Sequence, residues 1–191
     1  MYVLTDACPL SMDPSSVNNN LILSEDNRKV ISAEENQHHP DDENRFTHQP
    51  QVLSSEKLPE RGYFEIKWSE CLVSIAVCYE EISRNDKKLS GLGKNDKSWM
   101  LFRNADKYWG MHNGMRDEVF TTEVSSKVKG DDDFAGVYGV YVGHTAGNVS
   151  FYSVSGNRMS LIHTVQTDAT RPLYAGIYVP DFGTAEICKI W

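Results

Sequence analysis

The chain has 191 residues, 40% of them hydrophobic, 24% charged and 10% aromatic, the balance of a globular protein rather than a disordered or fibrous one. A formal net charge of −8 and a pI near 5.2 exclude the broad basic face that nucleic acid or anionic lipid requires. The longest apolar runs are far too short to span a bilayer, and the start at Met1-Tyr-Val-Leu-Thr-Asp6 lacks the basic and apolar regions of a signal peptide. The four cysteines, Cys8, Cys71, Cys78 and Cys188, have no Cys-x-x-Cys spacing and read as buried free thiols. A cytoplasmic, reducing setting is therefore expected.

In chain order, Asp13-Pro14-Ser15-Ser16-Val17 predicts a one-turn helix, with Asp13 as cap and Pro14 at its first position. Leu21 to Ser24 and Lys29 to Ile31 predict a short hairpin around the turn Glu25-Asp26-Asn27. Ala33 to Pro50 is a polar surface loop anchored by Phe46; its His38, His39 and His48 stand among carboxylates without a spacing that converges metal ligands, so no metal site is expected.

Gly62 to Tyr79 is the organising stretch. Phe64, Ile66 and Trp68 alternate with Glu65 and Lys67, and after a break at Ser69-Glu70, Val73, Ile75, Val77 and Tyr79 alternate with Ser74, Ala76 and Cys78. The pattern predicts an antiparallel strand pair with a buried inner face.

Asn85 to Asp96 is a turn-rich connection whose Gly91-Leu92-Gly93 lacks the strand-to-helix context of a phosphate loop. Strands follow at Trp99 to Phe102, Lys107 to Trp109 and Val119-Phe120, the last two separated by a turn at Asn113-Gly114. Gly130-Asp131-Asp132-Asp133 lacks the alternate-ligand pattern of a calcium loop and reads as a solvated turn. Val137 to Val142, Val149 to Val154, Leu161 to Val165, Leu173 to Val179 and Ala185 to Ile190 are strands closed by Gly, Asn, Asp or Pro. This regular succession predicts an all-β sandwich or barrel.

Catalytic signatures are missing from the sequence. It contains no Gly-x-Ser-x-Gly, no His-Glu-x-x-His and no phosphate-binding loop. Nor does it hold a zinc-binding Cys/His array or coiled-coil heptads, so a ligase effector would lie outside these residues. The expectation is a protein that is not an enzyme and uses no cofactor. A cryptic enzyme would instead require a deep pocket with convergent titratable groups.

Five motifs carry a resemblance: Ser24-Glu25-Asp26-Asn27-Arg28-Lys29-Val30, Pro50-Gln51-Val52-Leu53, Asp96-Lys97-Ser98-Trp99, Ala146-Gly147-Asn148-Val149-Ser150-Phe151-Tyr152 and Pro172-Leu173-Tyr174-Ala175-Gly176. In this order the chain resembles a PRY-SPRY domain over Cys8 to Ile190. Departures from the family pattern fall at Met12-Asp13-Pro14, at Phe64-Glu65-Ile66-Lys67 and at Val142-Gly143-His144-Thr145, the last of which lacks the family's two acidic residues. The resemblance implies a bent sandwich of two antiparallel sheets, SPRY-like, a concanavalin-like jelly roll with short N-terminal helices. It implies residues 1–7 as an extension, 8–60 as the PRY segment and 61–191 as the SPRY segment, with 8–191 folding as one domain.

It further implies a protein-recognition module whose loops at one end grip a partner protein, as in tripartite-motif ubiquitin ligases and nucleotide-binding immune receptors of fish. Matched positions place the partner-binding residues at Glu80 and Glu81, at Phe102, Arg103 and Asn104, at Lys107 and Trp109 beside Tyr108, and at Asp181 and Phe182. The alternative is the C-terminal domain of a secreted, stonefish-type pore-forming toxin that contacts a membrane or receptor glycans. In that setting the sequon Asn148-Val149-Ser150 would meet the glycosylation machinery.

Overall fold

The computed structural model describes residues 6–69, 72–119 and 134–190. Cys71, the Glu70 of the expected turn, Phe120 and the acidic turn at Gly130 to Asp133 lie outside the described residues.

Thirteen strands build two antiparallel sheets: β1 (Leu21–Ser24), β2 (Lys29–Ser32), β3 (Gln51–Lys57), β4 (Arg61–Trp68), β5 (Ser74–Tyr79), β6 (Ser98–Asn104), β7 (Lys107–His112), β8 (Met115–Val119), β9 (Gly136–Gly143), β10 (Asn148–Ser155), β11 (Arg158–Gln166), β12 (Leu173–Tyr178) and β13 (Thr184–Ile187). A seven-stranded sheet runs β1-β2-β13-β4-β9-β10-β11 and a six-stranded sheet runs β3-β12-β5-β6-β7-β8. This is the expected all-β sandwich. The hairpin β1–β2 forms as predicted, with Glu25, Asp26 and Asn27 all at positive φ and the Arg28 amide donating to Ser24 O at 3.1 Å.

Two expectations are corrected. The short N-terminal helices are absent among the described residues; the sole helical turn there is the 3-10 segment His144–Ala146. At Asp13 the chain makes a capped turn, with the amides of Ser15 and Ser16 donating to Asp13 Oδ1 and Asp13 O. A helix does not propagate because the following groups are claimed by β3: the Asn18 amide donates to Gln51 O, and Ser16 Oγ accepts from the Leu53 amide.

The second correction concerns β4 and β5, which do not pair with each other. β4 lies between β13 and β9, and β5 lies between β12 and β6, in opposite sheets. The cause is burial of both faces. All six residues of β5 are buried, whereas a surface hairpin would leave one face in water.

The inter-sheet core draws on both segments, from Cys8 and Leu10 to Ala185 and Ile187. Phe64, Ile66 and Trp68 point into it, as alternation predicts, and meet Ile75, Val77 and Tyr79 from the other sheet. Trp68 stacks on Tyr138 with ring centroids 5.2 Å apart. A second apolar cluster, Phe46, Leu53, Ala76, Cys78, Ile82 and Leu92, forms on the outer face of the six-stranded sheet. It is covered by the loops on either side of Phe46 and Leu92. Phe46 is fully buried, and Arg45 fastens its loop by donating from Nη1 to Pro14 O and Val17 O and from Nη2 to Pro40 O.

Candidate functional site

These two loops leave part of the six-stranded sheet's outer face uncovered. In a sheet, residues opposite one another in register share a face, and neighbours along a strand alternate. Ser74, Phe102 and Trp109 are successive partners across β5, β6 and β7, and Ala76, Met100 and Met111 form the next row. Tyr178 stands opposite Ser74 on the other side, and Met111 stands opposite Arg116 of β8.

The result is a groove of about 310 Å³. Its floor is apolar, with Met100, Phe102, Met111, Leu92 and Tyr178, and its polar groups are Gln49, Gln51, Ser74, Asn104, Lys94 and Arg116. Leu72, 46% exposed, stands at one end.

The loop wall is held by Gln51, whose side chain is fully buried. Its Nε2 donates to Ser90 O, and its Oε1 accepts from the Leu92 amide at 3.1 Å. Gly93 closes the wall at φ 76°, a conformation that suits glycine, and a β-carbon there would sit 3.0 Å from Met111 Cβ and 3.1 Å from Met100 Cβ.

The groove lining contains no His, Cys, Asp or Glu. Its apolar floor with a few polar groups around it suits binding. The three described cysteines are free thiols. Burial pushes Cys8 up to about 11 and Cys78 and Cys188 up to about 12, which leaves them protonated and unreactive. Among the described residues no three His, Cys, Asp or Glu converge to hold a metal. The ring of His39 is engaged by the backbone, with Nε2 donating to Leu21 O at 2.9 Å.

Strand alternation divides the residues expected to bind. Phe102 and Asn104 line the groove, and Trp109 and Lys107, opposite them in register, share their face. Arg103 and Tyr108 are on the other side of the sheet. The Arg103 guanidinium lies 5.8 Å from the Trp68 ring centroid and 6.0 Å from that of Tyr108.

Asp181 and Phe182 occupy the turn between β12 and β13, at the Tyr178 end of β12, and Gly183 after them packs against Val73. Phe182 is 82% exposed. Asp181 helps raise the Tyr178 hydroxyl's pKa, although burial is the larger cause.

Glu80 and Glu81 follow the far end of β5, roughly 20 Å from Ser74 at strand rise. Glu80 lines a separate polar cavity of about 220 Å³ with Asp13, Asn44, Ser55, Arg84 and Tyr174. Glu81 instead pairs with Arg171 at 3.1 Å.

Met100, Met111, Arg116, Lys94, Leu72 and Tyr178 escaped sequence reasoning. The period-two set Met100, Phe102 and Asn104 in β6 was the signal available for part of them.

The two-sheet sandwich thus carries an apolar groove on one outer sheet face, walled by long loops, a surface suited to holding a ligand. The PRY model, SPRY-associated domain, matches residues 10–58. Stonustoxin subunit beta of Synanceia horrida is 32% identical over 177 residues, covering 91% of this chain and 24% of the toxin subunit. Tripartite motif-containing protein 16 of Mus musculus is 32% identical over 176 residues, covering 91% of this chain and 30% of that protein. The crystal structure of the TRIM65 PSpry domain superposes with a TM-score of 0.81 at 21% identity, covering 97% of this chain and 92% of that one. The chain belongs to the PRY-SPRY family. It spans about a quarter of the length of the curated relatives it matches. No helix among the described residues is long and apolar enough to cross a membrane.

Proposed function

We propose that this domain is a non-catalytic recognition module that seats a segment of a partner protein in the groove on the outer face of the six-stranded sheet, as the targeting part of an immune or ubiquitin-ligase-type protein. The observation that carries this reading is the groove itself: an apolar floor around Phe102, ringed by polar groups. Apolar anchors on a rigid sheet with polar rims are how protein interfaces gain affinity and specificity. Asn104, Trp109, Lys107, Asp181 and Phe182 would contribute contacts at its margins. The test is affinity capture from cells that express the protein, comparing the chain with a Leu72→Glu/Phe182→Ala variant of matched melting temperature. Both positions are exposed, so the fold is expected to persist. A protein retained by the first and lost by the second supports the reading; identical retention places the interface elsewhere.

The match to Stonustoxin subunit beta favours a second reading, a domain of a secreted toxin that meets a membrane or receptor glycans. Asn148 of the sequon is partly exposed at the start of β10. A glycan on Asn148 of the native protein would support secretion, and its absence from protein taken from its native source would weigh against it.

A further inference from the structure

The charge of the groove lining is one-sided in a chain whose net charge is −8, with Asp181 outside the lining near Tyr178. Both ionised groups in the lining, Lys94 and Arg116, are cations. The acidic side chain nearest in register, Glu118 of β8, shares the outer face with Arg116 but is taken by Lys107 at 2.8 Å. Asp117, between them, faces the other side by alternation. Neither Lys94 nor Arg116 forms an ion pair with any described carboxylate. The Arg116 guanidinium rests over the Phe102 ring, 5.7 Å from its centroid, a position that holds the exposed cation at the groove rim.

The apolar and cationic poles are also separated in space. Leu72, just before β5, and Tyr178 of β12 mark one end, and Arg116 of β8 marks the other. Lys94 joins the Arg116 end because its loop is tied to the β7–β8 turn, with the Gly114 amide donating to Gly93 O at 2.9 Å. From β12, which carries Tyr178, to β6, whose Phe102 ring lies under the Arg116 guanidinium, are two strand spacings, roughly 10 Å. An extended peptide covers that distance in about three residues.

Resting on the recognition reading above, we propose that the groove takes an acidic segment of a partner protein, lying extended across the strands. A large apolar side chain sits by Leu72 and Tyr178, and an Asp or Glu about three residues away meets Arg116 and Lys94. Arginine suits the carboxylate end because its fork pairs a carboxylate bidentately. A basic segment is disfavoured by the same two cations.

Selection of phage-displayed random peptides on the whole chain tests this, with the binders then measured against the chain and an Arg116→Glu/Lys94→Glu variant. Both positions are at the groove rim, and equal melting temperatures establish that the variant is folded. The expected result is enrichment of peptides with an acidic residue about two to four positions from a large apolar one, about tenfold weaker on the variant and weakened by salt. Peptides that bind this face without an acidic residue, or equally well to the variant, overturn the inference and leave the recognition reading standing. Failure to enrich any peptide that a Leu72→Glu change displaces removes both. Displacement of the selected peptides by inorganic phosphate at comparable concentration would mark a small-anion site and overturn the peptide occupant.

Discussion

The guanidinium of Arg171 lies 3.6 Å from the ring centroid of Tyr79, locking the segment before β12 onto the end of β5. Trp99 packs edge-on against the same ring at 5.4 Å, and the Tyr79 hydroxyl accepts from the Asp168 amide at 2.7 Å. Arg171→Ala is expected to lower the unfolding free energy by about 1 kcal/mol. Glu81→Gln should cost far less, because that carboxylate is mostly in water. Urea denaturation of the two variants checks this; equal losses would assign the effect to the ion pair instead of the stack. Arg171→Lys should recover only part of the loss, since the ammonium cannot lie flat on the ring.

Gln51 joins fold to site. Both ends of its buried amide hold the 90–92 loop, so Gln51→Ala leaves a carbonyl and an amide without partners. A loss of about 2 kcal/mol is expected, with hydrogen exchange at the Leu92 amide rising more than at β5. A uniform rise across the sheet would show that Gln51 supports the whole fold and not the groove wall.

Phe182 combines 82% exposure with φ 65°, a backbone region that costs a residue with a β-carbon about 1 kcal/mol. Phe182→Gly relieves that strain, partly offset by greater freedom of the unfolded chain. It should raise stability by about 0.5 kcal/mol while weakening partner capture. Thermal melts read the first effect and binding reads the second. A variant that binds normally would make the ring irrelevant to recognition.

His163 of β11 faces Gly110 across the sandwich edge, in a cavity of about 50 Å³ that it shares with His112 and Asp117. Burial pulls its pKa below the ordinary 6.5, against a smaller opposing pull from Asp117. As pH falls, the unfolded imidazole protonates first, so proton uptake favours unfolding. The stability contribution is complete above about pH 6.5 and declines below it until the folded group itself titrates. Urea midpoints between about pH 7.5 and pH 5 should therefore fall less steeply in His163→Gln than in the parent. Equal slopes would assign the pH dependence elsewhere.

What alternation encodes was readable in the residues themselves. The β1–β2 hairpin, the inward set Phe64, Ile66 and Trp68, the anchor Phe46 and the strands of the last third follow from local pattern. Partnership between distant strands does not. Val73 to Tyr79 reads equally well as the second arm of a hairpin or as a central strand of another sheet, and the difference lies in β12, almost a hundred residues on. Asp13 has good capping chemistry, but β3 competes for the same amides. The candidate site was half readable for a related reason. Phe102, Arg103 and Asn104 are contiguous in sequence, yet a strand sends the middle one to the opposite face. Arg116 and Lys94 reach the groove only through sheet order and a loop crossing.

The order of strands within the two sheets also bears on synthesis of the chain. β12 is inserted between β3 and β5, and β13 between β2 and β4, so the strands made last occupy the middle of sheets begun much earlier. On the ribosome, β2, β3, β4 and β5 must wait with hydrogen-bonding edges open until residues 173–187 have emerged. Such non-local closure is slow and leaves strand edges vulnerable to pairing with other chains. A nascent chain stalled before Leu173 would lack the strand that joins β3 to β5 in the six-stranded sheet and with it the Tyr178 end of the groove. Chaperone demand should therefore peak late in translation and fall once β13 is released.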